Sequence, residues 1–426
     1  MSDGRHIPFY ESNLLGGASV INGCVHMFGS KSKWESILKT FNADYGELLD
    51  SYNRLYSSNQ IKNNKITLNP APQNIIDNSF IKTLNLHNIP TGDMNFSDRE
   101  SCGPILNTVK KYFRSSILSI IQNQLFVINS GEIVEDILFD DNGKVTGVKT
   151  NLRSINSDYV ILAAGVIGTC DILLREKHKE GNNVLRNLIV GRGIQDHTNL
   201  RVNVFTNNKF DSLNEISNSF YKKIWLLIRH FFGKPTLLKG TGATSAAHLD
   251  LNKDGEIDTR IQIVQFTENG RFGSDGSFFS RKPGFSISIT AINPESSGEI
   301  ILEGLNNIVN PMFLSSGNDI ELLKMALEYS LKLLRSSPLS DHILEIEDVH
   351  DIENDTKKYI VNNIFSGHHL IGGSYDAINS NFEVHNTKRL YVCDASVFSK
   401  YAASNVHSSV VLIADIFSKK FISNNY

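Results

Sequence analysis

The chain has 426 residues, 40% hydrophobic and 20% charged, with a net charge of −3, the composition of a soluble globular protein without the basic face that a nucleic-acid partner requires. The four cysteines, Cys24, Cys102, Cys170 and Cys393, form no CxxC pair, which excludes a disulfide framework or a zinc knuckle and fits a reducing compartment. MSDGRHIPFYESN carries no apolar signal region, and the longest apolar run, near 224–228, is too short to span a bilayer, so the expectation is a cytoplasmic protein with no membrane partner, built of two closely packed domains.

From Leu15 the sequence reads LGGASVINGCVHMFGSKSKW, a glycine pair, an apolar stretch and a second glycine turn. Glycines without Cβ let main-chain N–H groups approach a polar ligand, with Ser19 and Asn22 adding side-chain hydrogen bonds; a plain tight turn is the other reading. GSKS at 29–32 imitates part of a phosphate loop, but its spacing from Gly23 is wrong. Ile37, Leu38, Phe41, Leu48, Leu49 and Tyr52 fall at helical spacing, which predicts helices within 34–57. The polar, proline-dotted stretch 63–97 reads as a surface excursion, and 105–120, opening after Gly103-Pro104, as a helix. The period then changes to strands at 125–128, 133–139 and 145–149, the last two joined by the hairpin signal Asp140-Asp141-Asn142-Gly143. A buried strand at 159–163 runs into AAGVIGTCDILLRE, a glycine turn opening a helix, which is where ligands bind in α/β folds.

A glycine turn at 191–197 leads into a strand at 200–205, and His197, lying next to Asp196, reads as half of a structural pair, with a catalytic role the lesser alternative. Alternation at 257–266 and 285–292, with a short strand at 298–302, predicts an antiparallel sheet forming one wall of a pocket. The most regular helix is 319–335, with Asp319 suited to its N-terminus. Residues 250–258 match nine positions of a calcium loop, but position twelve is Ile261 and not the bidentate glutamate, which favours a polar hairpin turn. Gly240-Thr-Gly242-Ala-Thr-Ser245 lacks the third glycine and the preceding strand of a dinucleotide fingerprint.

Between 365 and 417, His369 and His407 flank an apolar strand that ends on Asp394. Two imidazoles that titrate near neutrality suit the removal of a proton from a substrate hydroxyl and the stabilisation of the resulting anion; two buried structural histidines are the alternative. His368, in an extended segment, would point away from His369. A metal set of His368, His369, Asp394 and His407 has no motif spacing behind it.

Five fragments, LGGASVING, VILAAGVIGTCDILL, VGRGIQDHTNL, INPESSGEIILEG, and SGHHLIGGS through LYVCDASVFSKYAASNVHSSVVLIA, together resemble the glucose–methanol–choline (GMC) oxidoreductases in order and spacing across nearly the whole chain. The resemblance implies an α/β, mixed α+β fold in which an incomplete FAD-binding domain (1–62, 125–198 and 346–426) interleaves with an antiparallel-sheet substrate domain (199–345) and a connecting, cap-like segment (63–124). Carried over by position, it makes His369 the principal base and His407 the second catalytic residue. It sets Gly17, Ser19 and Asn22 near the flavin and ribitol, Val134 beside the adenine, and Gly165, Asp394 and Ala395 near the middle of FAD.

Such enzymes begin with a strand, GxGxxG and a helix that clamp the pyrophosphate, and no such fingerprint occurs in these residues. Ala18, Cys170 and Gly373 also depart from the family's usual Ser or Thr, Pro, and Thr, and His26 stands at an aromatic position. The favoured expectation is therefore a truncated homologue that no longer binds FAD stably, is inactive and exposes an unpaired sheet edge. The alternatives are an active FAD-dependent oxidase or dehydrogenase of a small-molecule alcohol, completed by an N-terminal unit supplied in trans, and a non-enzymatic binding protein.

Overall fold

The structure, a computed structural model, describes residues 5–58, 64–110, 113–121, 126–180, 184–207, 210, 212–234, 236–239, 242–269, 279–304 and 306–426. It is organised around two apolar cores of different construction. The first lies under a seven-stranded sheet whose path runs Ile343–Ile346, Thr198–Thr206, Gly284–Ala291, Thr259–Val264, Ala243–Leu249 and Ser101–Pro104, with Phe365–Ser366 pairing on the Thr198 end. Every neighbouring pair in this sheet is antiparallel, so side chains alternate between its two faces. Leu200, Val202, Ile261, Ile263, Ile287 and Ile289 bury one face against Leu323, Leu327, Leu331 and Leu334 of the helix Gly317–Leu334. The opposite face is polar. Across it, strand register sets His248 opposite Arg260, Arg260 opposite Thr290 and Thr290 opposite Asn199.

The second core gathers the helices Lys31–Thr40, Tyr45–Leu55, Gly165–His178 and Val406–Asn425. Among the described residues it contains two short parallel pairs, Val160–Leu162 with Leu390–Val392, paired Ile161 to Tyr391, and Tyr56–Ser57 with Ile66–Thr67. An antiparallel meander, Val134–Phe139, Val145–Thr150 and Ser154–Asn156, lies beside it. A four-stranded sheet ordered Asn306–Asn310, Gly298–Glu303, Arg192–Gln195 and Ile371–Gly373 completes the elements that position the site.

Four expectations are corrected. Residues 105–120 are not a helix: Ser101–Pro104 pairs with Ser245–His248, and short strands follow at Leu106–Asn107, Val109–Lys110 and Phe113–Arg114. The 63–97 stretch is not merely surface, since it contains the helix Ile75–Leu86, which buries Ile76, Phe80 and Leu84 in the core under the seven-stranded sheet. A box of Asn74 and Asp77, each side chain accepting from the other's backbone N–H, starts that helix. Residues 126–128 belong to no strand, and Leu125 lies outside the described residues, as do Gly240 and Thr241. Asp319 does not cap its own helix, a role taken by Ser316; it accepts from the N–H groups of Glu295 and Ser296 instead. The 250–258 stretch forms the turn between Ala243–Leu249 and Thr259–Val264, with Asp258 accepting from Leu251 and Asn252. The helix Phe220–Phe231 leaves Tyr221, Trp225 and Phe231 exposed, yet no helix among the described residues is long and apolar enough to cross a membrane.

Candidate active site

His369 is placed by two β-ladders that share the same pair of chain segments. Thr198 pairs with Ser366, and three residues away Gln195 pairs with Ile371, so 196–197 and 367–370 are held between two registered anchors. The N–H of Gly367 donates to His197 O at 2.8 Å, and a Cβ at position 367 would stand 2.8 Å from His197 Cβ. Only glycine lets the segments approach this closely. Asp196 Oδ1 accepts from the His369 N–H at 2.9 Å, and its other oxygen accepts from the Ser366 hydroxyl. The expected pairing of Asp196 with the His197 side chain is thus replaced: Asp196 braces the 366–369 backbone, and the His197 ring meets His369.

Hydrogen-bond chemistry assigns the tautomers of this pair. His197 Nε2 lies 3.0 Å from Ile292 O, which can only accept, so Nε2 carries the hydrogen. Burial, reinforced by His369 and Arg260, holds the His197 pKa well below its ordinary value, so the ring is neutral and its Nδ1 is an acceptor. His369 Nδ1, 3.0 Å away, must then donate, which leaves the lone pair on His369 Nε2. That nitrogen has no hydrogen-bond partner among the described residues. Burial first, then Arg260 and His368, lower the His369 pKa to about 3, so it is deprotonated at neutral pH. Tyr401 completes the mount, stacking on His197 at 3.9 Å between centroids and donating its hydroxyl to His369 O at 3.0 Å.

His407 belongs to a different group. Its pKa is lowered to about 4 by burial and then by Arg114, and it in turn contributes to holding His26 at about 3, after burial of the latter. His26 lies against Tyr56, centroids 4.6 Å apart, and neither His26 Nδ1 nor His407 Nε2 has a hydrogen-bond partner among the described residues. No hydrogen bond or ring contact joins His407 to His369 among the described residues. His368 is not extended: φ is +58°, and its ring faces Phe9 and Tyr10. Sequence reasoning missed His197, Tyr401 and the buried Arg260, whose partners lie 172, 32 and 145 residues away along the chain.

The residues expected to hold FAD form two clusters and one outlier. Gly17 opens a short 3₁₀ turn with open space beside it, Ser19 donates to Gly16 O at 2.6 Å, and Asn22 Oδ1 accepts from the Cys24 N–H and from Arg114. Gly165 and Asp394 meet directly: Asp394 Oδ2 accepts from the Gly165 N–H at 3.0 Å and from Thr169 at 2.5 Å, and Oδ1 accepts from Ser396 just past Ala395. Val134, half-buried, begins the meander's first strand.

The fit of FAD was judged on these contacts. At the flavin end, the open side of Gly17 and the unpartnered nitrogens of His26 and His407 are compatible with a polar ring system. The pyrophosphate end does not fit. The N–H of Gly165, at the start of its helix, is already taken by a carboxylate, and Glu11 Oε1 lies 3.8 Å from where a Gly165 Cβ would be. Desolvation and then Asp394 raise the Glu11 pKa, and no cation adds to either effect. A doubly charged phosphate group would meet two carboxyls there.

Two departures from the family pattern touch each other. Gly373, at φ +100°, leaves room for Cys170, whose Sγ would stand 2.6 Å from a Cβ at 373. The glycine and the cysteine form one packing solution.

A histidine whose Nε2 has no partner among the described residues, in a chain that combines an antiparallel sheet with a strand–turn–helix unit, is an arrangement that can accept a proton from a bound hydroxyl. The comparisons agree. Residues 294–414 match the family model described as GMC oxidoreductase. An oxygen-dependent choline dehydrogenase of Vibrio vulnificus (strain YJ016) is 23% identical over 97% of this chain and 81% of its own length. A glucose dehydrogenase (FAD, quinone) of Drosophila melanogaster is 23% identical over 62% of this chain and 44% of its own. The formate oxidase of Aspergillus oryzae RIB40 superposes with a TM-score of 0.85, covering 98% of this chain and 85% of that one at 15% identity. Pyridoxine 4-oxidase from Mesorbium loti gives 0.80, covering 100% and 87% at 15% identity. The comparisons thus place residues 294–414 with the GMC oxidoreductase family and give the whole chain the fold of that family's solved structures.

Proposed function

We propose that these 426 residues carry the substrate-binding and proton-accepting half of a GMC alcohol oxidoreductase, and that as an isolated chain they do not retain FAD and do not oxidise alcohols. The observation that carries this reading is the carboxyl pair of Glu11 and Asp394 at the start of the helix Gly165–His178, with the Gly165 N–H already engaged. In the retained half, His369 Nε2 accepts the proton of a substrate hydroxyl, His197 fixes the tautomer, and Tyr401 and Asp196 hold the ring and its backbone. In this reading Gly17, Ser19, Asn22, Val134, Gly165, Asp394 and Ala395 are a residual cofactor wall, and His407 belongs to that wall beside His26. The test is to incubate purified chain with FAD and measure flavin retained after gel filtration. Little or none is expected, and a stoichiometric yellow complex would overturn the reading.

A second reading has its own support. Parallel sheets are normally buried on both faces, yet here Ile161 is 44% exposed and Ala163 and Ala164 are exposed beside it. A βαβ unit carrying GxGxxG, from preceding sequence or from another polypeptide, would cover this face and supply the phosphate amides. Repeating the gel filtration with such a unit present decides it: retention of flavin only with the unit supports completion, and continued absence of flavin rejects it.

A further inference from the structure

The polar face of the seven-stranded sheet contains two arginines with opposite circumstances. Arg201 pairs with Glu268, as a buried guanidinium is expected to. Arg260 has no carboxylate partner among the described residues. It is 3% exposed, and its polar contacts among the described residues are both through Nη1, to Asn405 Oδ1 at 2.6 Å and to Met27 Sδ at 2.8 Å. Nε is buried and has no partner among the described residues. In the next strand its direct neighbour is His248, buried, neutral and with Nε2 also unpartnered.

An isolated buried cation is among the most costly features a fold can carry, because the lost hydration is returned only by an anion or by a full set of acceptors. An amide oxygen and a thioether do not amount to that set. The position of Arg260 matters as much as its isolation. Asn405, which it grips, lies four residues beyond Tyr401, the side chain that stacks on His197 and holds His369 O. The positive charge of Arg260 also acts on His197, His248 and His369 alike. Arg260 is thus tied through Asn405 to the segment that mounts His369, and its charge reaches the same histidines.

We propose that Arg260 is the anchor for a carboxylate, so that the pocket takes a hydroxy acid whose carboxylate lies on the Arg260 guanidinium and whose hydroxyl faces His369 Nε2. A planar guanidinium matches a carboxylate through two parallel N–H···O bonds, which an ammonium does not reproduce. The hydroxyl half of the assignment rests on the alcohol-oxidoreductase reading above; the carboxylate half does not.

The experiment is calorimetric titration of the purified 426-residue chain, without added flavin, with glycolate, lactate and mandelate, and with ethylene glycol as the neutral analogue. At least one hydroxy acid should bind and ethylene glycol should not. Arg260→Gln should weaken binding by about 30-fold or more, and Arg260→Lys by about 10-fold, with circular dichroism confirming the fold. Absence of binding by all three acids, equal binding of ethylene glycol, or unchanged binding in Arg260→Gln overturns the proposal. Should the variants not fold, the contrast between hydroxy acids and the neutral diol in the unsubstituted chain decides it. Because no flavin enters the titration, the FAD outcome and this one are read separately.

Discussion

The substrate side and the cofactor side of this molecule are built to different standards. The seven-stranded sheet is antiparallel throughout and apolar on its core face, with all eight residues of Gly284–Ala291 buried. The cofactor side has a parallel pair of three residues per strand, and Ile161 of that pair is open to solvent. Parallel pairing is the kind of sheet that depends on cover from both sides, whereas antiparallel sheets tolerate one polar face. One half thus holds its candidate site through its own backbone ladders, and the other rests on a short parallel pair with one open face.

Three measurements can break or sharpen this contrast. The largest effect is expected from a matched pair of substitutions followed by urea unfolding. Ile287→Ala, in the centre of the substrate sheet, should cost about 2–5 kcal/mol, while Ile161→Thr should stay within about 0.5 kcal/mol. Equal costs would mean that the cofactor side is as well packed as the substrate side. Next, Gly373→Thr restores the family's usual residue at φ +100° and against Cys170 Sγ, and should cost about 2–4 kcal/mol. Cys170→Ala in the same chain should recover part of that loss; simple additivity of the two changes would disprove the coupling.

The smallest effect concerns acid. Burial holds the pKa of His26 at about 3, against an ordinary value of 6.5. The unfolded chain therefore binds the extra proton first as pH falls below 6.5, and stability declines until about pH 3. His248 behaves in the same way, also at about 3. Asp77 and Asp196, raised to about 6 by burial, act oppositely: what they contribute is present below 3.8 and lost as pH rises through 6. The contribution of each buried histidine is therefore lost in acid, and a single substitution isolates it. His26→Phe, removing one such group, should add about 2 kcal/mol of stability at pH 5 relative to its effect at pH 7. An identical effect at both values would show that His26 is hydrated in the folded protein.

Local chemistry in the sequence carried much of the fold. The hairpin at Asp140–Gly143, the alternation of the substrate strands and the helix Gly317–Leu334 are all governed by near neighbours or by one buried face. The failures have equally specific causes. Gly103-Pro104 looks like a helix start, but the backbone there is claimed by a strand some 140 residues away, a tertiary pairing that outweighs local preference. The helix Ile75–Leu86 did announce itself through Asn74 and Asp77, a weaker signal than the surrounding prolines and polar residues. At the site, His369 was legible because the family motif surrounds it. His197 was not, since its role depends on the register of two ladders, and Asp196 beside it suggested a pairing that the fold does not use.

Those two ladders have a consequence for how such proteins should be read. The 195–371 and 198–366 pairings fix the two imidazoles by main-chain bonds that any folded copy of this sheet would keep, whether or not flavin is bound. The presence of both histidines therefore reports the register of this backbone, and says nothing by itself about the residues that face the cofactor.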